Sequence, residues 1–90
     1  MTPASNTELF DQAILQILNA NNARFGLQAS AVRLFVRPHG FQPSEEEVID
    51  RLEYLAGKGL AVEVPRRIHK TYRAWKISDA GRQYLDDNNL

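Results

Sequence analysis

The densest chemistry in this sequence lies between positions 66 and 76. Arg66, Arg67, Lys70, Arg73 and Lys76 place five cations within eleven residues with no acid among them, and His69 adds a titratable imidazole. Projecting cations at this spacing suit phosphate oxygens, because each contact releases condensed counterions and makes binding steeply salt-dependent. Tyr72 and Trp75 interleave aromatic rings that can stack or pack. The same charges would equally keep an exposed hairpin edge solvated and unpaired. The segment before it has the opposite sign: residues 44–59 hold five acids and two bases, whereas 60–77 hold one acid and five bases. Formal net charge is zero, so any pull toward nucleic acid must come from local clustering.

Other chemistries find little support. His39 and His69 stand thirty residues apart without neighbouring ligand types, so no metal site is expected. Asp86 and Asp87 are adjacent and do not share a helix face, which argues against an acid–base pair. No phosphate loop, catalytic-triad spacing or glycine-rich nucleotide fingerprint occurs, so neither an enzyme nor a cofactor is expected. The absence of cysteine excludes disulfides, thiolate ligands and cysteine nucleophiles. Residues 1–6 lack the basic start and apolar run of a signal peptide. No apolar run approaches the roughly 20 residues of a membrane span. A cytoplasmic protein without a membrane partner is the expectation.

The elements that would position these groups follow from hydrophobic spacing. Ninety residues predict one domain, 1–90, with 1–6 and 86–90 frayed. A chain of this size buries only about 60–65% of the surface its unfolded form exposes, so its core should be modest. Ser5 and Glu8 have capping-box spacing, with Thr7 an alternative cap. Leu9, Phe10, Ala13, Ile14, Ile17 and Leu18 then predict a first helix over 8–20, with Asn21 and Asn22 at its exit. Residues 24–27 suit a small edge strand. Leu27, Ala31, Leu34 and Phe35, a stripe broadened by Val32 and Val36, predict a second helix over 28–36, ended by Pro38. The turn 37–43 follows, with Phe41 tucked beneath it. Ser44 and Glu47 form a capping box for a third helix over 44–58, whose Glu45, Glu46 and Glu47 complement the helix dipole. Its apolar stripe is Val48, Ile49, Leu52, Leu55 and Ala56. Leu60, Val62 and Val64 alternate with Ala61 and Glu63 as a half-buried strand. Thr71 to Ile77 predicts a partner strand with Trp75 and Ile77 buried. Ser78 can cap a last helix containing Tyr84 and Leu85.

Two stretches carry a resemblance. Leu52-Glu53-Tyr54-Leu55-Ala56-Gly57-Lys58-Gly59-Leu60-Ala61 resembles the end of the recognition helix and the first wing strand of small bacterial and phage winged helix-turn-helix DNA-binding proteins. Ile77-Ser78-Asp79-Ala80-Gly81-Arg82-Gln83-Tyr84-Leu85 resembles their closing segment of an aliphatic residue, Ser or Thr, two variable residues, Gly, a basic residue and a late aliphatic. Together they span about a third of the chain. The resemblance implies an α+β winged helix-turn-helix with a three-helix core, a two-stranded β-wing and a short C-terminal helix. It implies that the third helix enters the major groove and that the wing meets backbone or minor groove. Wing contacts would then come from Arg66, Arg67, His69, Lys70 and Arg73. At about 100° per residue, Asp50 and Tyr54 fall opposite the apolar stripe, so the helix face would offer Glu47, Asp50, Arg51, Tyr54 and Lys58. Arg33 and Arg37, near the end of the second helix, would flank it or serve as surface charge.

Two functions of different kind follow. One is a double-stranded-DNA-binding protein, a small transcriptional regulator or phage-type accessory factor, for which half-site logic favours a homodimer. The other is a winged-helix protein–protein interaction module that sets its acidic third helix against a basic partner. Recognition helices read bases with their N-terminal residues. Here that end carries three glutamates, which repel phosphates even though a carboxylate can accept from cytosine N4.

Overall fold

A computed structural model of the protein describes residues 6–21, 25–65 and 73–90. Its elements run α1 (Asn6–Ala20), β1 (Leu27–Gln28), α2 (Ala29–Phe35), a 3-10 turn (Arg37–His39), α3 (Glu45–Gly57), β2 (Ala61–Glu63), β3 (Ala74–Ile77) and α4 (Asp79–Asp87). The class is α+β: among the described residues there are four α-helices and an antiparallel three-stranded sheet of order β1-β3-β2.

Helix limits follow the capping chemistry. Ser44 Oγ accepts from the Glu47 N–H at 3.2 Å, and the Glu47 carboxylate accepts from the Ser44 N–H at 3.4 Å. Both halves of the capping box are therefore formed. At the other end Leu60 N–H donates to Leu55 C=O at 2.9 Å and Gly59 N–H to Ala56 C=O at 3.0 Å, the paired bonds of a Schellman closure. The first helix starts at Asn6, so that residue is helical rather than frayed; the Ser5 cap lies outside the described residues. The last helix also runs beyond its expected limit. α4 continues to Asp87, and Asn89 takes the left-handed conformation (φ +58°) while Leu90 N–H donates to Leu85 C=O at 2.9 Å. The same closure that ends α3 therefore ends α4.

The strand expected before α2 forms, displaced to Leu27–Gln28. It pairs with β3, Leu27 opposite Trp75 and Gln28 opposite Ala74. Gly26 makes this approach feasible: it sits at φ +79°, and a Cβ there would lie 2.8 Å from the Trp75 carbonyl oxygen. The parity of β2 is the reverse of that expected. Ala61 is buried and Val62 is 51% exposed. The cause is pairing: β3 buries Trp75 and Ile77, and β2 sets Ala61 opposite Ile77 and Glu63 opposite Trp75. Directly opposed residues share a sheet face, so the stronger apolar strand dictates which side of β2 turns inward.

The core gathers Ile14, Leu15, Ile17 and Leu18 of α1, Val32 and Val36, Val48, Leu52 and Leu55 of α3, Trp75 and Ile77 of β3, and Leu85 of α4. Phe41 is half-buried, its ring centroid 5.2 Å from that of Phe10, in keeping with its expected place under the turn. Trp75 is 1% exposed, and its indole N–H has no hydrogen-bond partner among the described residues. Ser78 ties the last helix to the end of α3. Its Oγ accepts from the Gly81 N–H at 3.0 Å and donates to the Gly59 carbonyl at 2.6 Å. Any side chain at Gly81 would run into the Leu60 carbonyl and Ile77, so glycine is required for this contact.

Candidate functional site

The outward side of α3 is built from three strips, set by 100° steps from the buried Val48, Leu52 and Leu55. The strip opposite the core carries Glu46, Asp50, Tyr54 and Gly57, all exposed, Tyr54 at 47%. One flank turns toward α1 and holds Glu47, Arg51 and Lys58. The other turns toward the sheet and holds Glu53.

Arg51 was expected on the open face and is instead committed to α1. Its Nε donates to Asp11 Oδ1 at 2.8 Å and its Nη2 to Asp11 Oδ2 at 2.6 Å, a two-pronged pair with both side chains largely covered. That hydrogen bond, chiefly, holds the guanidinium above its ordinary pKa. The same guanidinium lies 4.2 Å from the Tyr54 ring centroid, and Lys58 Nζ lies 5.6 Å from it. Arg51, Tyr54 and Lys58 thus line a groove of ≈ 500 Å³ between α1, α3 and α4, together with Asp11, Leu15 and Tyr84. Asp50 stands outside this group, and the Glu47 carboxylate is occupied in the cap.

Arg73 differs from expectation for the same physical reason. No acid lies within its basic run, but the fold supplies two from outside it. Arg73 Nη1 donates to Glu53 Oε1 on α3 at 2.7 Å, and its Nε to Glu63 Oε1 on β2 at 2.7 Å. Its guanidinium carbon lies 4.9 Å from the Trp75 ring centroid. The Glu53 hydrogen bond first, then that of Glu63, raises its pKa. Arg73 is therefore a clasp between α3 and the sheet rather than a projecting phosphate contact. Alternation along β3 puts Arg73 on the face of Trp75, and cross-strand pairing puts Glu63 there too. Only the register of β2 reveals this.

Arg66, Arg67, His69 and Lys70 lie outside the described residues. Arg33 and Arg37 are placed at the α2–α3 connection, where Arg33 Nε donates to the Pro43 carbonyl at 3.0 Å. Among the described residues, no His, Asp and Glu group of three or more is placed to hold a metal ion, and no helix is long and apolar enough to cross a membrane. No family model matches the sequence, and no curated protein is similar to it.

Proposed function

We propose that this chain is a winged helix-turn-helix module that binds double-stranded DNA through phosphate contacts, as a small transcriptional regulator or accessory factor. The observation that carries this reading is the succession of α2, turn and α3 on a shared core, followed directly by the paired strands β2 and β3, whose connection holds Arg66, Arg67 and Lys70. Backbone contact supplies affinity that is independent of sequence, and cations in a strand connection suit it. The mode is phosphate-led. The strip of α3 opposite the core offers Glu46, Asp50 and Tyr54, and Arg51 is engaged with Asp11, so no arginine is available there for guanine.

A second reading has its own support. With Arg51 and Arg73 neutralised by Asp11, Glu53 and Glu63, the exposed side of α3 is acidic, which suits a basic protein partner. Binding to random duplex DNA across a salt series separates the two. The DNA reading expects a slope of log affinity against log salt near −2 to −3 per monomer, from about three phosphates. Replacing Arg66 and Arg67 with Ala should flatten it by about 2 and weaken all sequences alike. No measurable binding at about 50 mM salt, where the electrostatic attraction is strong, would transfer the function to the protein-interaction reading.

A further inference from the structure

The geometry points to an oxyanion site at the α2–α3 connection that takes a phosphate group. A recess of ≈ 390 Å³ opens there, lined by Arg33, Arg37, Gln42 and Pro43. Its side chains offer two guanidinium groups and a carboxamide, and no acid lines it. The nearest acid in sequence, Glu45, lines a different recess with Gln28, Ser30 and Trp75. Arg33 and Arg37 are four residues apart along the helical run from α2 into the 3-10 turn, so they lie on one side of it. Among the described residues neither has a carboxylate partner, in contrast to Arg51, Arg73 and Arg82.

The recess is also held in shape. The Nε bond of Arg33 to the Pro43 carbonyl orients its guanidinium and leaves the two Nη groups for a ligand. Opposite, Gly40 N–H donates to the Arg37 carbonyl at 3.0 Å and Phe41 N–H to that of Val36 at 3.4 Å. Pro43 is buried, and the Phe41 ring rests on Phe10. A planar donor fork held by backbone is suited to two oxygens of a tetrahedral anion, and a preformed site avoids the ordering cost of binding. A free phosphate compound and a nucleic-acid backbone both supply this group, and the chemistry is shared. The inference goes beyond the proposed function, because a free anion binds here whether or not the chain binds duplex DNA.

The test is an NMR titration following the Gly40, Phe41 and Gln42 amides and the Arg33 Nε–H. Inorganic phosphate, pyrophosphate and a dinucleotide with one phosphodiester are compared with chloride at matched ionic strength. Saturable shifts with phosphate but not chloride are expected, weakened at least fivefold in Arg37→Gln, whose exposed position leaves the fold intact. Arg33→Lys keeps the charge but loses the fork, and should weaken phosphate while leaving the other amide resonances in place. Shifts from the phosphates alone assign the site to free phosphate compounds. Shifts from the dinucleotide, with a duplex salt slope reduced by about 1 in Arg37→Gln, assign it to nucleic acid. Shifts that merely follow ionic strength, or an Arg37→Gln protein that binds phosphate as the wild type does, overturn the site. Phosphate binding without duplex binding would overturn the DNA reading and leave this one standing.

Discussion

Individual side chains in this protein divide into those that close the structure and those left to act. Asp11 holds Arg51 by two hydrogen bonds, and both residues are largely covered. Neutralising the acid with Asp11→Asn should lower unfolding free energy by about 1 kcal/mol, the scale of a well-formed partly exposed pair. It should also release a cation onto α3. If α3 approaches a DNA backbone, Asp11→Asn therefore strengthens non-specific duplex binding while weakening stability; unchanged duplex affinity would put α3 away from the backbone. Leu52 is fully buried among α1, α3 and the sheet. Leu52→Ala should cost about 2–5 kcal/mol, a large part of the stability of so small a domain. Chemical denaturation checks this, and an unchanged midpoint would contradict the observed burial.

At the scale of elements, α3 is defined by its ends. Its apolar stripe alone would allow the helix to slide by a residue or two, but the Ser44–Glu47 box and the closure at Leu60 define both limits. Ser44→Ala removes the side-chain acceptor of the Glu47 N–H and should cost about 1 kcal/mol, read as a fall in melting temperature with little loss of helical signal. The three first-turn glutamates gain from the helix dipole wherever α3 faces. Their presence is thus explained without a ligand, and the acidity that disfavours groove entry follows from how the helix begins. The sheet is shaped by β3, which joins β1 on one side and β2 on the other. Trp75 and Ile77 turn inward, and Ala61 and Glu63 are set opposite them.

At the scale of the whole molecule, zero net charge conceals a separation that the fold partly cancels. Three of the cations in the expected DNA-contact set are involved with neighbouring side chains: Arg51 with Asp11, Arg73 with Glu53 and Glu63, and Lys58 with the Tyr54 ring. Among the described arginines, Arg33 and Arg37 have no carboxylate partner, and Arg66, Arg67 and Lys70 lie outside the described residues. Few phosphate contacts per chain and a small core both favour association. Leu9 on α1, Leu90 after α4, and Leu34 and Phe35 on α2 are exposed apolar side chains that could support it. Light scattering at tens of micromolar should then report a dimer. A monomer at that concentration would remove the palindromic-site form of the proposed regulator and would not bear on phosphate-led binding.

What the sequence determined by itself was local. Capping residues and apolar spacing gave α3 and the burial of Trp75 and Ile77, because a helix start or a strand's alternation is written within a few consecutive residues. The limits of α2 were legible too, but its inward face was not: Leu34 and Phe35 of the expected stripe are exposed, and Val32 and Val36 fill the core instead. The Ser78 cap of the last helix was legible for the same reason, as its hydroxyl accepts from an N–H three residues on. The tertiary structure alone decided what depends on partners distant in the chain. The inward face of β2 was set by β3, overriding the Leu60, Val62 and Val64 alternation. The fates of Arg51 and Arg73 were set by Asp11, forty residues away, and by Glu53 and Glu63, twenty and ten residues away. A run of cations reads as free charge until the fold brings acids to it, and no local pattern carries that information.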